Sequence, residues 1–388
     1  MPRWTVLAFL VLLTAACAPT AAPTPTPIGK APTAAPAPTK AAPEPTKPAA
    51  VATPTTPPKA AAVTPVSKPA VKPLDPMVTV KIGSTTSLTD GFFYIADAKG
   101  YFAEEGLKAE FVRFRTAGEV VAPLGTGELD VGGGSPSPAL FNAIARGIPV
   151  KIVGDRYTAR PGQGTTALLV RKDLADGGQV RDYSDLRGKN IAINATGSST
   201  EIMVEKALEK GGVKREEVNV VTMPFPDMLA ALGSKAIDVA GDVDPYNAMA
   251  VDRGLAVRWK GEDEINPNHE TAVILFGPSF YQNKPEAARR FMVAYIRAVR
   301  DYVNAFTKNT KKQEIVSILT QVTDVKEPAL YDKMAVIGVD PDGRVNAQSI
   351  SADQDWYASK GYQQQKVDMS KVVDNQFVEY ALERLGKY

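Results

Sequence analysis

The stretch ATGSST, residues 195–200, sets a glycine and four hydroxyl-bearing neighbours where an apolar run hands over to the helix-patterned segment TEIMVEKALEKGG. Hydrogen-bond donors at a helix start, with the positive end of the helix dipole behind them, suit an anionic or carbonyl group. One hydroxyl, on Ser198 or Ser199, is also what any helix needs as an N-cap, and the supply exceeds that need. No lysine follows at the position a nucleotide-hydrolase phosphate loop requires. A second polar turn, Asp244-Pro245-Tyr246, offers a carboxylate to an amino or ring N–H group and a ring to stack on. An aspartate capping a helix with proline in its first turn explains that turn equally well. Asp90 stands beside Phe92, Phe93 and Tyr94, and Arg156 or Arg160 would either meet an anion or, with Asp155, form a hinge pair. His269 is the only histidine and Cys17 the only cysteine. A Cys/His metal cluster, a Cys-His dyad and a Ser-His-Asp triad are therefore not expected, and neither is a metal or cofactor. His269, in NPNHET, reads as a loop residue.

Such scattered loops act together only if a scaffold converges them. From residue 77 the order is strand VTVKIGSTTS, helix GFFYIADAKGYFAEEGL, strand AEFVRF, helix EVVAPLGTGE, short strand LDVGG, an SPSP turn, helix PALFNAIARG and strand IPVKIVGD. This is the alternation of an α/β unit on a mainly parallel sheet. A second round follows, and LGTGELDVGGGSPSPALFNAIARG at 124–147 is echoed by LGSKAIDVAGDVDPYNAMAVDRG at 232–254. The echo predicts two lobes of related topology. Ligands of such sheets meet the carboxyl ends of the strands, so the loops 84–90 and 133–137 of one lobe are expected to face 194–200 and 241–246 of the other. The glycines of DVGGGSPSP are expected to let the chain turn sharply as it leaves its strand, with Pro136 and Pro138 setting the approach to the next helix. The organisation expected is lobe one over 77–157, a crossover over 158–172, lobe two over 173–269, and then, over 270–388, a return strand and helices packing on lobe one. The helical pattern of PEAARRFMVAYIRAVRDYVNAF supports the last of these.

The first 17 residues carry Arg3, an apolar run from Val6 to Leu13 that is too short to span a bilayer, and small residues before Cys17. This is the layout of a secretory signal, with Cys17 placed for lipidation and anchoring to membrane lipid. Residues 18–76 are Ala, Pro, Thr and Lys with more than half of the chain's 31 prolines, which predicts a disordered, extended tether. Six lysines there face only Glu44 and Asp75, so the body beyond them is net negative although the whole chain is +2. The basic balance thus points to no nucleic-acid partner.

SLTDGFFYIADAKGYFAEEGL, ELDVGGGSPSPALFNAIARG, YSDLRGKNIAINATGSST and IDVAGDVDPYNAMA together resemble the substrate-binding proteins of ABC importers for nitrate, sulfonate, taurine and thiamine-pyrimidine solutes, over about residues 77–300. The resemblance implies a two-lobed, periplasmic-binding-protein-like type II fold with hinge-linked Rossmann-like lobes. It implies a monomer that closes on a small-molecule solute and delivers it, unaltered, to permease subunits with their ATPase at the outer face of the cytoplasmic membrane. The ligand-facing positions it carries over are Thr86, Ser87 and Asp90, then Ser135, Pro136 and Ser137, then Gly197, Ser198, Ser199 and Thr200, joined by Asp242, Asp244 and Tyr246. Relatives that synthesise the thiamine pyrimidine depend on a histidine and a cysteine-rich segment, and this chain lacks the latter. A sensor module reporting to a membrane receptor would share fold, tether and cleft. Rings at Phe92, Phe93, Tyr94, Tyr157, Phe225 and Tyr246 lean the solute toward a pyrimidine or other vitamin-like heterocycle. The alternative is a sulfonate, taurine or nitrate anion, for which the loops offer acids and hydroxyls more than arginine.

Overall fold

The computed structural model describes residues 71–388. The signal, Cys17 and nearly all of the proline-rich segment lie outside them. The strands are β1 (Val78–Ser84), β2 (Leu107–Arg113), β3 (Val131–Gly134), β4 (Lys151–Thr158), β5 (Thr166–Arg171), β6 (Asn190–Ile193), β7 (Asn219–Thr222), β8 (Val239–Val243), β9 (Ala256–Gly261) and β10 (Glu270–Phe276). They form two five-stranded sheets, ordered β2-β1-β3-β10-β4 and β7-β6-β8-β5-β9. Three strands of each sheet are parallel, β1 lying between β2 and β3, and β6 between β7 and β8. The fourth strand of each, β10 or β5, runs antiparallel to both its neighbours. The echoed segments therefore occupy equivalent places, with β3 and β8 each third in its sheet.

The chain crosses between sheets twice, from β4 into β5 and from β9 into β10. The second half of 158–172 is β5 itself, so the first crossing takes only residues 159–165. β4 and β10 pair with each other in the first sheet and lead directly to the two crossings. β10 is buried along its whole length, which is why its residues 272–276, AVILF, read as an unbroken apolar run and not as an alternation.

The glycines of β3 depart from the turn expected of them. Gly132, Gly133 and Gly134 all lie in the strand, and none takes a positive φ. Their lack of a side chain serves close approach: a Cβ on Gly132 would come within 3.2 Å of Leu124 and Val120, and one on Gly134 would run into Leu275. The turn begins only at Ser135.

The helix Pro285–Lys308, amphipathic along 24 residues, packs on the helices Gly91–Ala98, Lys312–Val322 and Gln376–Leu385 to bury the main core of lobe one. Phe291 sits at its centre, stacked on Phe102 at 5.1 Å between ring centroids and set edge-on to Phe276 and Phe280. Beyond it the chain returns to the crossings. Gly338 and Gly343 accept hydrogen bonds from Thr158 and Asp155, and the Ala335 N–H donates to Asp244 of the second sheet's lobe at 2.9 Å. Among the described residues no helix is long and apolar enough to cross a membrane.

Phe291→Ala removes a wholly buried ring that touches four others. It is expected to lower the unfolding free energy by about 3–5 kcal/mol, read as a fall in the urea midpoint with little change in slope.

Candidate functional site

Between the carboxyl ends of the two sets of parallel strands lies a cleft of 660 Å³ with walls from both lobes. Lobe one supplies Ser87, Thr89, Arg115, Ser135, Arg156 and Tyr157 among others, and lobe two supplies Thr166, Asn194, Ser199, Thr200, Phe225 and Val243. Hydroxyls predominate, two arginines stand among them, and no carboxylate does.

Arg156 is the element around which lobe one's wall is built. It projects from β4 with its guanidinium almost wholly buried. Nη1 pairs with Asp90 and donates to Thr89 Oγ1 at 2.9 Å, and Nη2 donates to the Gly134 carbonyl at 3.1 Å. Nε has no partner among the described residues. The other Asp90 oxygen accepts from Ser84 Oγ, the Thr85 N–H and Thr85 Oγ1, so this carboxylate is spent on its own lobe. The pair lies on the bare Cα of Gly133, where a Cβ would stand 2.5 Å from Asp90 Oδ1 and 2.8 Å from Arg156 Nη1. Arg115, in the loop after β2, is exposed and has no ion-pair partner among the described residues.

Lobe two presents the start of the helix Ser199–Lys210. Ser198 is its N-cap, accepting from the Glu201 N–H at 3.3 Å, and Thr200 Oγ1 donates to Asn194 Oδ1 at 2.6 Å. Ser199 and Thr200 therefore face the cleft while Ser198 closes the helix. Gly197, at φ 71°, makes the preceding turn; a Cβ there would be 3.3 Å from Pro138 of lobe one.

Of the positions carried over from the resemblance, Ser87, Ser135, Ser199 and Thr200 line the cleft, and the others lie behind or beside it. Thr86, at φ 59°, turns its hydroxyl to the Thr85 carbonyl. The Pro136 carbonyl accepts from Tyr357, and Ser137 caps the helix Pro138–Ala145. Asp244 accepts from the Ala248 and Ala335 N–H groups, a structural post uniting helix and lobe. Asp242 is fully buried, with Oδ1 accepting from the Val243 N–H at 2.8 Å and Oδ2 unpartnered; burial pushes its carboxyl up to about 7. Tyr246 stacks behind Phe225 and lines a neighbouring apolar groove. Among the aromatics, Phe92 and Phe93 are core, and Tyr94 stacks on Phe111 and donates to Ser84. Only Tyr157 and Phe225 of the six rings reach the cleft.

Sequence reasoning passed over Arg115, although it follows the end of a parallel strand as the other chosen loops do. Arg156 pairs with Asp90, 66 residues away, and not with its neighbour Asp155. His269 does lie between β9 and β10 but is buried: Nδ1 meets Glu262 at 2.7 Å and Nε2 meets Asp353 at 3.0 Å. The two carboxylates outweigh burial and hold the imidazolium up to about 10. The Tyr157 hydroxyl donates to Glu262, so a cleft wall is tied through this histidine to the helix Ala347–Ser359. Among the described residues no group of three or more His, Cys, Asp or Glu side chains is arranged to hold a metal ion.

Two α/β lobes of matching strand order, joined by two crossings and enclosing a polar cleft, define a periplasmic-binding-protein type II fold. Solved structures agree. The chain superposes on the periplasmic nitrate-binding protein NrtA from Synechocystis PCC 6803 with a TM-score of 0.63 and 16% identity, covering 80% of this chain and 89% of that one. It superposes on the alkanesulfonate-binding protein SsuA from Xanthomonas axonopodis pv. citri bound to MOPS with a TM-score of 0.59 and 19% identity, covering 79% and 100%. Residues 90–305 match the family model described as "NMT1/THI5 like", and the chain belongs to that family. Curated relatives include a Bacillus subtilis (strain 168) protein named "Putative aliphatic sulfonates-binding protein", 25% identical over 78% of this chain and 88% of that protein. Another is the riboflavin-binding protein RibY of Chloroflexus aurantiacus, 25% identical over 64% and 68%. These curated relatives are both named as binding proteins, one for sulfonates and one for riboflavin.

Two outcomes follow from the geometry. Gly133→Ala drives a methyl into the Asp90–Arg156 pair and is expected to cost about 3–5 kcal/mol of stability, the range for breaking a buried ion pair. Gly118→Ala, where a Cβ meets nothing within 4 Å, should change stability by less than about 1 kcal/mol in the same urea titration. Asp242 is expected to make stability depend on pH. Its folded value lies above the ordinary 3.8, so the contribution is complete below about pH 4 and is lost as pH rises through about 7. Asp242→Asn should flatten that decline and leave the variant more stable than the parent by about 1–3 kcal/mol at pH 8.

Proposed function

We propose that this chain is the extracytoplasmic solute-binding component of an ABC importer, and that its solute is an organic anion of the sulfonate type. The observation that carries the choice of anion is the charge of the cleft: Arg115 and Arg156 line it, and no carboxylate does. Asp244, the acid that favoured an amino or ring N–H donor, accepts from the Ala248 and Ala335 N–H groups, and Asp90 and Asp242 are likewise buried and turned to their own lobe's backbone. The heterocycle reading also rested on six rings, of which two remain. Relatives named for sulfonates in Bacillus subtilis and Escherichia coli support the anion, and the riboflavin-binding relative supports the alternative.

The anionic group is held on one side by the exposed Arg115, unpaired among the described residues, with the Asp90-paired guanidinium of Arg156 forming the wall behind it. On the other it meets the N–H groups and hydroxyls at the start of Ser199–Lys210. Such a ligand contacts both lobes and so favours the closed arrangement that a permease recognises. The proline-rich segment with a lipidated Cys17 holds the protein at the outer face of the cytoplasmic membrane, where it works as a monomer beside the permease and ATPase.

Calorimetric titration with ethanesulfonate and with a thiamine pyrimidine tests the assignment. Ethanesulfonate is expected to bind, with affinity falling about tenfold or more in Arg115→Gln, the loss of one charge-assisted contact. Binding of the pyrimidine alone would overturn the anion reading.

A further inference from the structure

The cleft is large for an alkyl sulfonate or an inorganic anion. At 660 Å³ it matches pockets of about 300–1,000 Å³ that enclose drug-sized ligands. A small anion seated at Arg115 and Arg156 would leave most of that space to water, over surfaces that are not uniformly polar.

The lobe-two wall is built for a flat apolar body. Phe225 opens the helix Phe225–Gly233 between Pro224 and Pro226, and all three residues line the cleft. Two prolines fix the backbone on either side, so the ring is presented with little freedom left to lose on binding. Behind it Tyr246 stacks with 24° between ring planes and 6.4 Å between centroids. Pro226 and Tyr246 also line an adjoining groove of 550 Å³, whose other walls include Leu229, Met249 and Leu255. Pro226 therefore belongs to both the cleft and the groove beside it. Tyr157 gives the hinge side a second ring, held in place by its hydrogen bond to Glu262 and by the one it accepts from the Thr166 N–H. The cations and the rings belong to one cleft: Arg115 and Arg156 are on lobe one, and Phe225 is on lobe two.

We infer that the solute is an aromatic organic anion, an arenesulfonate whose charged group lies at Arg115 and Arg156 and whose ring system stacks on Phe225. This rests on the anion reading above and narrows it. The stacking contact is one an alkyl sulfonate cannot make, and it adds to the apolar area the ligand removes from water.

Calorimetry on the full chain with naphthalene-2-sulfonate, ethanesulfonate and the uncharged naphthalene-2-methanol separates the possibilities. Naphthalene-2-sulfonate is expected to bind at least tenfold more tightly than ethanesulfonate, and naphthalene-2-methanol far more weakly than either. In Phe225→Ala the ratio of the two anion affinities should collapse toward one. Ethanesulfonate binding as tightly as naphthalene-2-sulfonate would overturn the arene while leaving the anion assignment standing. Retention of the ratio in Phe225→Ala would likewise overturn it. Binding of naphthalene-2-methanol without either sulfonate, or of none of the three, would overturn both.

Discussion

A guanidinium buried at the end of a sheet strand must have its charge answered, and the wall of lobe one is arranged around that requirement at Arg156. Desolvating such a group costs several kcal/mol, which is recovered only with close, well-directed partners. Asp90 supplies the charge, Thr89 and the Gly134 carbonyl take further protons, and Ser84 and Thr85 fix the far oxygen of the aspartate. The pair has room only because residue 133 lacks a side chain. One glycine in β3, one helix start and one residue of β4 are thereby locked to one another, and the cleft inherits a rigid, charge-paired wall.

The lobes are coupled by more than the two crossings. Ala335 binds Asp244, and Lys333 pairs with Asp252, so the C-terminal segment fastens lobe two from behind. His269 bridges Glu262 at one crossing and Asp353 on a C-terminal helix, and Glu262 accepts from Tyr157 at the cleft. Tyr157 at the cleft is thus joined by hydrogen bonds to a crossing and to the helix Ala347–Ser359. Burial of an imidazolium between two carboxylates suits this post, because the charge keeps three separate segments in register.

Much of the architecture was legible in the chain. The alternation of period-two and period-3.6 patterns marks an α/β protein, and the echo of 124–147 in 232–254 marks two lobes, because repeated local patterning imposes repeated strand order. Strand-end loops are legible too, since parallel sheets present their carboxyl ends to ligands whatever the side chains. That rule found Ser87, Ser135, Ser199 and Thr200 in the cleft wall. It failed for the acids because a carboxylate in such a loop can face the ligand or its own backbone, and a string of residues does not say which.

Local patterning alone determined the class, the duplication and the loops that converge, because periodicity and turn residues act over a few positions. Tertiary structure decided the charge of the cleft. Asp90 and Arg156 stand 66 residues apart, and only folding brings them together, buries the pair in the wall and leaves Arg115 as the exposed cation beside it, unpaired among the described residues. The same holds for the glycines of DVGGGSPSP. Their number predicts a bend, yet they form a straight, buried strand whose missing side chains make space for an ion pair. What a glycine is for depends on what comes within 3 Å of it, and that is a property of the packed molecule.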